Sequence, residues 1–455
     1  MIACPGCGAN LTFDISSQQM KCGYCGNIYD PYQFDNMEKD ADENLVFDVW
    51  VYNCPQCGAE LMTTDETDAT AFCPYCGNTS LLMDKMRKAK RPSYIIPFQI
   101  TKEECKAAYL REAKKAVFTP SEYKKEELID SFRGIYMPYW SFRVEQQGEA
   151  HIEAESPSSR DGDYVVTDHY DIRAQIDTVY DGITHDASRA FDDEISECLS
   201  PFDAHKRVPF TPGFLSGFYA DVADEDPGKY EKRVKEYTEL ETARKLLEDN
   251  GVRATTSDLM LKGVSNVQVP SEIGSVYRVF YPVWFMSYRN GNNITYATVN
   301  GQTGKVVADF PISTSRFILA ALIAALAFFI PLNFFFTLKP GAALAVTTLL
   351  LVIGMIMTRR ENRKLLDRLE GTQRETILGK ISSIQALSAI LTIGCVILAA
   401  FILVTNPVRN KDYYIPCFIE AAVLFLTIFM NFLVQKKLAT RRPPQFNKKG
   451  GNDNA

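Results

Sequence analysis

The sequence opens with two cysteine pairs, Cys4-Pro5-Gly6-Cys7-Gly8 and Cys22-Gly23-Tyr24-Cys25-Gly26, and the same pattern returns in Cys54-Pro55-Gln56-Cys57-Gly58 and Cys73-Pro74-Tyr75-Cys76-Gly77. Within each copy 14 or 15 residues separate the pairs, a spacing that suits a hairpin closing around one tetrahedral metal ion. Four thiolates favour a soft or borderline metal, and zinc needs no redox partner. The sequence therefore predicts two zinc ribbons. Their predicted ligands are Cys4, Cys7, Cys22 and Cys25 for the first ion and Cys54, Cys57, Cys73 and Cys76 for the second.

Both predicted zinc sites are closed and therefore structural, because protein thiolates fill all four positions and none is left for water or substrate. The glycine after each second cysteine allows the tight turn that aims backbone amides at the sulfurs. Each ribbon is too small for its own core, so metal binding should supply most of its folding free energy, roughly 10 kcal/mol or more. A thioredoxin-like redox role is the rival interpretation, but that motif should lie between a strand and a helix.

Charge argues against nucleic acid as the ribbons' partner. Residues 1–82 contain two basic and twelve acidic side chains, a balance of −10, whereas phosphate contacts need lysine and arginine. A protein partner is favoured. The basic cluster that follows, within residues 83–93, is predicted to be a solvated linker, with nucleic acid or anionic lipid as alternative ligands. It comprises Lys85, Arg87, Lys88, Lys90 and Arg91.

Length and composition set the broad class of the protein. A chain of 455 residues is too long for one core, and its ordinary composition, with a net charge of −7, excludes a wholly disordered protein. The start resembles no secretory leader, which places the thiols in the reducing cytoplasm. The remaining cysteines are predicted to be packing residues. They are Cys105, Cys198, Cys395 and Cys417.

The middle of the chain, residues 94–315, is predicted to be a β-rich α+β domain. Thr101 to Glu104 reads as a capping box that opens a helix to about Phe118, and a second helix is predicted over residues 121–132. Residues 135–142 and 279–286 echo each other as strand entries, and the proline within each argues for an edge, a bulge or a strand start. Residues 226–251 predict a charged helix, and residues 294–311 predict a hairpin.

Catalytic motifs are absent from this middle sequence: it has no nucleophile elbow, Walker loop, Rossmann glycine fingerprint or zinc-protease helix. The four histidines share no ligand spacing and are predicted to be exposed or internally satisfied. The acidic runs 192–194 and 221–226 lack an EF-hand glycine and are predicted to be solvated loops.

Four apolar runs follow, and each approaches the length needed to cross a ~30 Å hydrocarbon core. They are Phe317–Leu338, Ala342–Met357, Ile384–Val404 and Tyr413–Val434. The connection 358–381 holds seven basic residues and the tail after Val434 holds six, so both termini are predicted to face the cytoplasm. Glu420 is the candidate polar site inside the membrane, although helix packing is favoured over ion passage.

The paired ribbons, together with Tyr94-Ile95-Ile96-Pro97-Phe98, Gly134-Ile135-Tyr136-Met137-Pro138-Tyr139-Trp140 and Asn300-Gly301-Gln302-Thr303-Gly304-Lys305-Val306-Val307, resemble a family of bacterial double zinc-ribbon multi-pass membrane proteins. Such proteins carry labels such as TFIIB-type zinc-ribbon protein or primosomal helicase-like protein, yet no helicase motif is present here. The resemblance implies an uncharacterised membrane protein and associates it with flotillin-like (SPFH) and phage-shock membrane-stress partners. It transfers only the cysteine positions.

The sequence thus predicts a multidomain protein with two small β zinc ribbons, an α+β soluble domain and an all-α four-helix transmembrane domain. The predicted segments are ribbon 1 (1–30), a linker (31–50), ribbon 2 (51–82), a basic linker (83–93), the α+β cytoplasmic domain (94–315), the transmembrane domain (316–435) and a disordered basic tail (436–455). The favoured function is a non-enzymatic cell-membrane scaffold that recruits a protein partner to the lipid bilayer. The alternatives are a membrane-tethered nucleic-acid regulator and, third, an enzyme or transporter.

Overall fold

In a computed structural model of the protein, the structure describes residues 2–35, 46–64, 73–78, 82–155, 159–161, 164–166, 169–191, 193–251, 264–290, 293–320, 323, 339–366 and 371–438. The protein is multidomain. A β-rich soluble region carries both cysteine groups near its N-terminus, and three long apolar helices follow toward the C-terminus.

The first cysteine group is held by a small antiparallel sheet of three strands, β1 (Leu11–Asp14), β2 (Gln19–Cys22) and β3 (Ile28–Tyr29). The buried face of β1 packs against the larger soluble core. Phe13 lies edge-on to Phe214, with ring centroids 5.1 Å apart, and its amide donates to the Ser216 carbonyl at 3.0 Å. Ribbon 1 is therefore a separate sheet that is docked on the main body.

The larger sheet has twelve strands within the described residues. They are β4 (Val46–Asn53), β5 (Glu60–Thr63), β6 (Leu82–Lys90), β7 (Tyr94–Ile95), β8 (Arg133–Glu155), β11 (His169–Asp186), β12 (Val208–Pro209), β13 (Tyr219–Asp221), β14 (Val264–Gln268), β15 (Glu272–Asn290), β16 (Asn293–Asn300) and β17 (Val306–Ala308). A separate hairpin pairs β9 (Ser159–Asp161) with β10 (Tyr164–Val166). The main path runs β12-β7-β15-β8-β13-β5-β4-β6.

The two segments that echo each other in sequence are hydrogen-bonded partners at the centre of this sheet. β8 and β15 run antiparallel, with Ile135 opposite Val283 and Met137 opposite Tyr281. Their side chains are almost fully buried, so these positions supply core area on both strands. The prediction that both segments are strands is confirmed. The sequence did not show that these two strands pair with each other.

The prolines in these strands do not mark edges, so that expectation is wrong. Pro138 lies one residue beyond the end of the β8–β11 ladder, and Pro282 lies one residue before the β15–β16 ladder begins. Proline has no backbone N–H to donate. Because each proline lies just outside the ladder with one of its strand's two partners, no hydrogen bond of that ladder requires the missing N–H. Two central strands therefore tolerate proline.

Ribbon 2 is not a separate module. Its strands β4 and β5 belong to the large sheet, because β5 pairs with β13 and β13 pairs with β8. The segment 83–93, predicted as a linker, forms most of β6, which pairs along β4 from Val46 to Asn53. Side chains alternate between the two faces of a strand, so a strand can carry several charged residues on the face that is exposed to solvent. For this reason the basic composition of the segment gave no sign that it forms a strand.

The helices of the soluble region are α1 (Lys102–Lys115), α2 (Glu126–Ile129), α3 (Asp193–Leu199) and α4 (Glu231–Asp249). Short 3₁₀ turns cover Pro31–Phe34, Ser121–Lys124, Ala204–Lys206, Pro212–Leu215 and Pro227–Lys229. The capping box is confirmed. The Thr101 side chain accepts from the Glu104 amide, the Glu104 side chain accepts from the Thr101 amide, and α1 begins at Lys102. The predicted helix over 121–132 is instead a 3₁₀ turn followed by the one-turn α2.

Three helices are long and apolar enough to span a bilayer: α5 (Pro340–Leu366), α6 (Gly371–Thr405) and α7 (Lys411–Leu438). Many of their large apolar side chains are exposed, among them Ile390, Phe401 and Phe418, as expected for surfaces that face lipid. Of the predicted first span, Phe317–Leu338, the structure describes a helical segment at 314–320 and residue 323, and the rest lies outside the described residues. The described part of the chain thus contains three spans, not four.

Contacts between the helices fix their relative direction. Leu344 near the start of α5 clusters with Tyr413 near the start of α7, and Asn362 near the end of α5 donates to Asn431 near the end of α7 at 2.6 Å. The helices α5 and α7 therefore run parallel and contact each other directly. The helix α6, which connects them in the chain, runs in the opposite direction.

Candidate metal centres

Each cysteine pair forms the same tight turn. The Gly8 amide donates to the Cys4 carbonyl at 2.8 Å, and the amides of Gly26, Gly58 and Gly77 make the equivalent bond. These four glycines have φ between 68° and 81°, a region that residues with a Cβ rarely adopt. The glycine that follows each pair is thus required by the turn, as the sequence predicted.

The eight cysteines form two separate groups of four, and in each group the sulfurs lie within 4.8 Å of one another. The shortest sulfur–sulfur distances are 3.4 Å for Cys7–Cys22 and 3.6 Å for Cys4–Cys25. In the second group they are 3.4 Å for Cys54–Cys76 and 3.6 Å for Cys57–Cys73. A tetrahedral ion with metal–sulfur bonds of about 2.3 Å needs edges of roughly 3.8 Å, so either group could hold a metal ion.

The first group lies at the surface. Cys4 and Cys22 are buried, whereas Cys7 and Cys25 are exposed, and the neighbouring Tyr24 is 84% exposed. The Tyr29 hydroxyl lies 3.5 Å from Cys4 Sγ, and its hydrogen bond lowers the pKa of that thiol to about 6. A thiolate is the form that binds metal, so Tyr29 favours loading of this group.

The second group lies inside the soluble core. Its four cysteines are each at most 3% exposed and pack with the buried faces of the large sheet. A hydrogen bond from Cys73 lowers the pKa of the Cys54 thiol to about 6. Burial removes this group from solvent, which fits a structural ion.

Tyr75, which lies between Cys73 and Cys76, ties the second group to the sheet. Its hydroxyl donates to Asp221 Oδ2 on β13 at 2.5 Å, and its carbonyl accepts from the Tyr296 hydroxyl on β16 at 2.5 Å. Its ring packs edge-on to Phe285 of β15, with centroids 5.7 Å apart. Contacts with β13, β15 and β16 therefore hold the second cysteine group in place.

Asp221 was predicted to lie in a solvated acidic loop, and that prediction is wrong. Its carboxyl is buried, and it also accepts from Ser188 Oγ at 2.5 Å. Burial raises the pKa of Asp221 to about 6, although the bonds from Ser188 and Tyr75 oppose this effect. An acidic run carries no sequence signal that one member turns inward, so composition could not find this contact.

Two of the five members of the basic cluster, Arg87 and Arg91, form ion pairs within the protein. Arg91 forms a buried ion pair with Asp35 and lies over the Phe210 ring, 5.3 Å from its centroid. Arg87 pairs with Glu60 at 3.4 Å. Both arginines of the cluster are therefore paired with acids of the same soluble region, whereas Lys88 and Lys90 are exposed.

Glu420 is only 2% exposed, and it lies between α5 and α7. Its two oxygens contact the hydroxyls of Thr347 and Thr348 at 2.5 and 2.6 Å. The acid is visible in the sequence but its two threonine partners are not, because a Thr-Thr pair inside an apolar run gives no sign of the helix it faces. Among the other cysteines, Cys105 packs in the core as predicted.

Comparison with known proteins finds a bacterial relative. The chain is 29% identical over 320 residues, 69% of its length, to the uncharacterised protein YdjG of Bacillus subtilis (strain 168), and the match covers 90% of that protein. No protein-family model matches the chain. No solved structure matches it either. The cysteine groups are zinc-ribbon-like by their own geometry.

Proposed function

We propose that the protein is a non-enzymatic membrane scaffold, in which two zinc ions stabilise a cytoplasmic β-rich domain and the exposed end of ribbon 1 binds a protein partner. The contrast between the two cysteine groups carries this proposal. The second group is buried in the sheet, so its ion is structural, whereas the first presents Cys7, Tyr24 and Cys25 at the surface.

Zinc is the ion proposed for both groups. Four thiolates select a soft or borderline metal, and in each group the four sulfur atoms lie within 4.8 Å of one another, which suits a tetrahedral ion with metal–sulfur bonds of about 2.3 Å. With all four positions supplied by cysteine, neither ion would keep an open position for substrate. The ions would therefore support folding and leave recognition to the surface around them.

The surface around the first ion suits a protein partner better than nucleic acid. Tyr24 is an exposed aromatic ring, and Ile28, four residues later in the chain, is 51% exposed. Residues 1–30 contain one basic side chain, Lys21, against two acidic ones, Asp14 and Asp30, so ribbon 1 offers little of the positive charge that phosphate contacts need. Flotillin-like (SPFH) and phage-shock membrane-stress proteins are the partners that the family resemblance suggests.

We further propose four membrane spans, with residues 317–338 as the first and both termini in the cytoplasm. Phe317 stacks on Phe432 near the end of α7, with ring centroids 4.7 Å apart. Leu344 of α5, in contrast, packs beside Tyr413 at the start of α7. The α7 residues 413 and 432 are separated by ~28 Å of helix. The chain between Phe317 and Leu344 must join opposite ends of the bundle, which favours a crossing.

The contact between Phe317 and Phe432 also supports a cytoplasmic location for the soluble region. Phe317 and Arg316 lie at the boundary, and the Arg316 guanidinium donates to the Thr119 carbonyl at 2.7 Å. The basic connection 358–381 includes Asn362, which lies at the end of the bundle where Phe317 lies. Basic connections remain in the cytoplasm, so the soluble region would be on that side.

Photo-crosslinking at Tyr24 tests the recruitment proposal. A photoreactive phenylalanine analogue at position 24 of the full-length protein should cross-link to a protein in the membranes of the native cell. Tyr164 is 77% exposed on the β9–β10 hairpin and gives the matched control, where we expect no such product. The products are identified by mass spectrometry after nuclease treatment. Nuclease-sensitive products would favour the nucleic-acid regulator, and equal protein products at both positions would contradict docking at ribbon 1.

A further inference from the structure

The carboxyl of Glu420 lies in a small set of oxygen atoms between α5 and α7. Oε2 contacts Thr347 Oγ1 at 2.5 Å and Oε1 contacts Thr348 Oγ1 at 2.6 Å. Each threonine oxygen also lies close to the Leu344 carbonyl oxygen, at 3.0 Å for Thr347 and 2.8 Å for Thr348. Four short oxygen–oxygen contacts therefore link four groups.

Counting the protons in these contacts distinguishes the two forms of the carboxyl. Each threonine hydroxyl carries one proton, so an ionised Glu420 leaves two protons for the four contacts. A neutral carboxylic acid adds a third. Its O–H then donates to one threonine, that threonine donates to the Leu344 carbonyl, and the other threonine donates to the remaining oxygen of Glu420. The neutral form satisfies more of the observed contacts.

In the part of the chain that the structure describes, no basic side chain contacts the carboxyl of Glu420. None of the four apolar runs contains lysine, arginine or histidine. The titratable neighbours in the described helices are Cys417, 3.6 Å from Thr347 Oγ1, and Cys395 of α6, which is within electrostatic range of Glu420. An ionised carboxylate among apolar helices is costly without a cation, so the carboxyl requires a bound positive species.

A polar group on α6 adds an independent observation. Thr392 is 2% exposed, and its hydroxyl has no hydrogen-bond partner in the described part of the chain. It lies one helical turn from Cys395, on the same face of α6. The described part of the bundle interior therefore contains an unpaired hydroxyl one helical turn from Cys395, the residue of α6 that is within electrostatic range of Glu420.

We propose that Glu420 is a proton-binding site inside the helical bundle, with Thr347 and Thr348 as positioning residues. The bound proton completes the hydrogen bonds that join α5 to α7. Its release leaves a carboxylate in an apolar interior, so the α5–α7 contact is the part of the bundle that responds to protonation.

Infrared difference spectroscopy of the full-length protein in lipid vesicles tests this site. At neutral pH the spectrum of the native protein minus that of Glu420→Gln should contain the carbonyl stretch of a protonated carboxylic acid, shifted in deuterium oxide. The side chain of Glu236 is 57% exposed, and Glu236→Gln is the control, which should lose a carboxylate band instead. Loss of a carboxylate band in Glu420→Gln would overturn the proposal.

Two further arms use a protein that keeps Glu420. Replacing both Thr347 and Thr348 by valine should move the acid band to higher frequency without abolishing it, because the carbonyl loses its hydroxyl donor. An unmoved band would contradict the positioning role. Exchanging sodium for potassium at constant pH and ionic strength should leave the native band unchanged. An acid band that grows when sodium is removed would identify a sodium site and overturn the proton assignment.

Discussion

Replacing both Cys54 and Cys57 by serine should unfold the β-rich domain and reduce the metal content from two ions per chain to at most one. Serine offers no thiolate, and two remaining cysteines cannot close a tetrahedral site. Zinc binding in small ribbons is worth roughly 10 kcal/mol or more, comparable to the whole stability of a typical domain. Because β4 and β5 are strands of the twelve-stranded sheet, the loss should spread beyond residues 51–82.

The paired control is the replacement of Cys4 and Cys7 by serine, which removes the first ion. The strands around that ion form their own three-stranded sheet, so we expect the large sheet to keep its cooperative thermal transition at a lower midpoint. Circular dichroism of the detergent-solubilised protein and metal analysis measure both effects. A Cys54/Cys57 variant with one ion and an intact transition would show that ribbon 2 folds independently, against the present account.

Arg91→Met should lower the free energy of unfolding of the soluble region by about 3–5 kcal/mol, because it leaves the carboxylate of Asp35 buried without its arginine. The side chains of Arg91 and Asp35 are 6% and 8% exposed, and Arg91 also donates to the Phe210 carbonyl. This cost corresponds to a fall in the thermal midpoint of roughly 10 °C. Thermal unfolding followed by circular dichroism gives the value.

An exposed ion pair provides the comparison for this variant. Arg143 and Glu145 are 40% and 53% exposed, so Arg143→Met should cost at most about 1 kcal/mol. Adding Asp35→Leu to Arg91→Met should recover much of the lost stability, since no buried charge then remains unmatched. If Arg91→Met were as mild as Arg143→Met, the ion pair between Asp35, just after the Pro31–Phe34 turn, and Arg91, just after β6, would not hold these segments together.

Local signals in the sequence predicted the parts of the fold that local chemistry determines. The spacing of the cysteines gave both four-cysteine groups, Thr101 and Glu104 gave the start of α1, and residues 300–304 gave the turn between β16 and β17. Each of these depends on residues close in the chain. They could therefore be found without knowing what packs against them.

Pairings between distant segments could not be predicted in this way. The basic run before Arg91 reads as a linker until β4 pairs with it, and Asp221 reads as a loop residue until Tyr75 reaches it. Likewise Glu420 is visible in the sequence, but the hydroxyls that contact it belong to a helix about 70 residues earlier. Such contacts depend on tertiary packing, which composition and periodicity do not encode.

The most direct test of the account is the side of the membrane on which three points of the chain lie. Epitope tags are placed at the N-terminus, in the turn 406–410 between α6 and α7, and at the C-terminus, and a membrane-impermeant protease is added to intact and to permeabilised cells. Four spans with a cytoplasmic metal-bound domain predict that only the central tag is cleaved in intact cells. Cleavage of the N-terminal tag with protection of the C-terminal tag would show three spans and an external soluble domain, and would contradict the account.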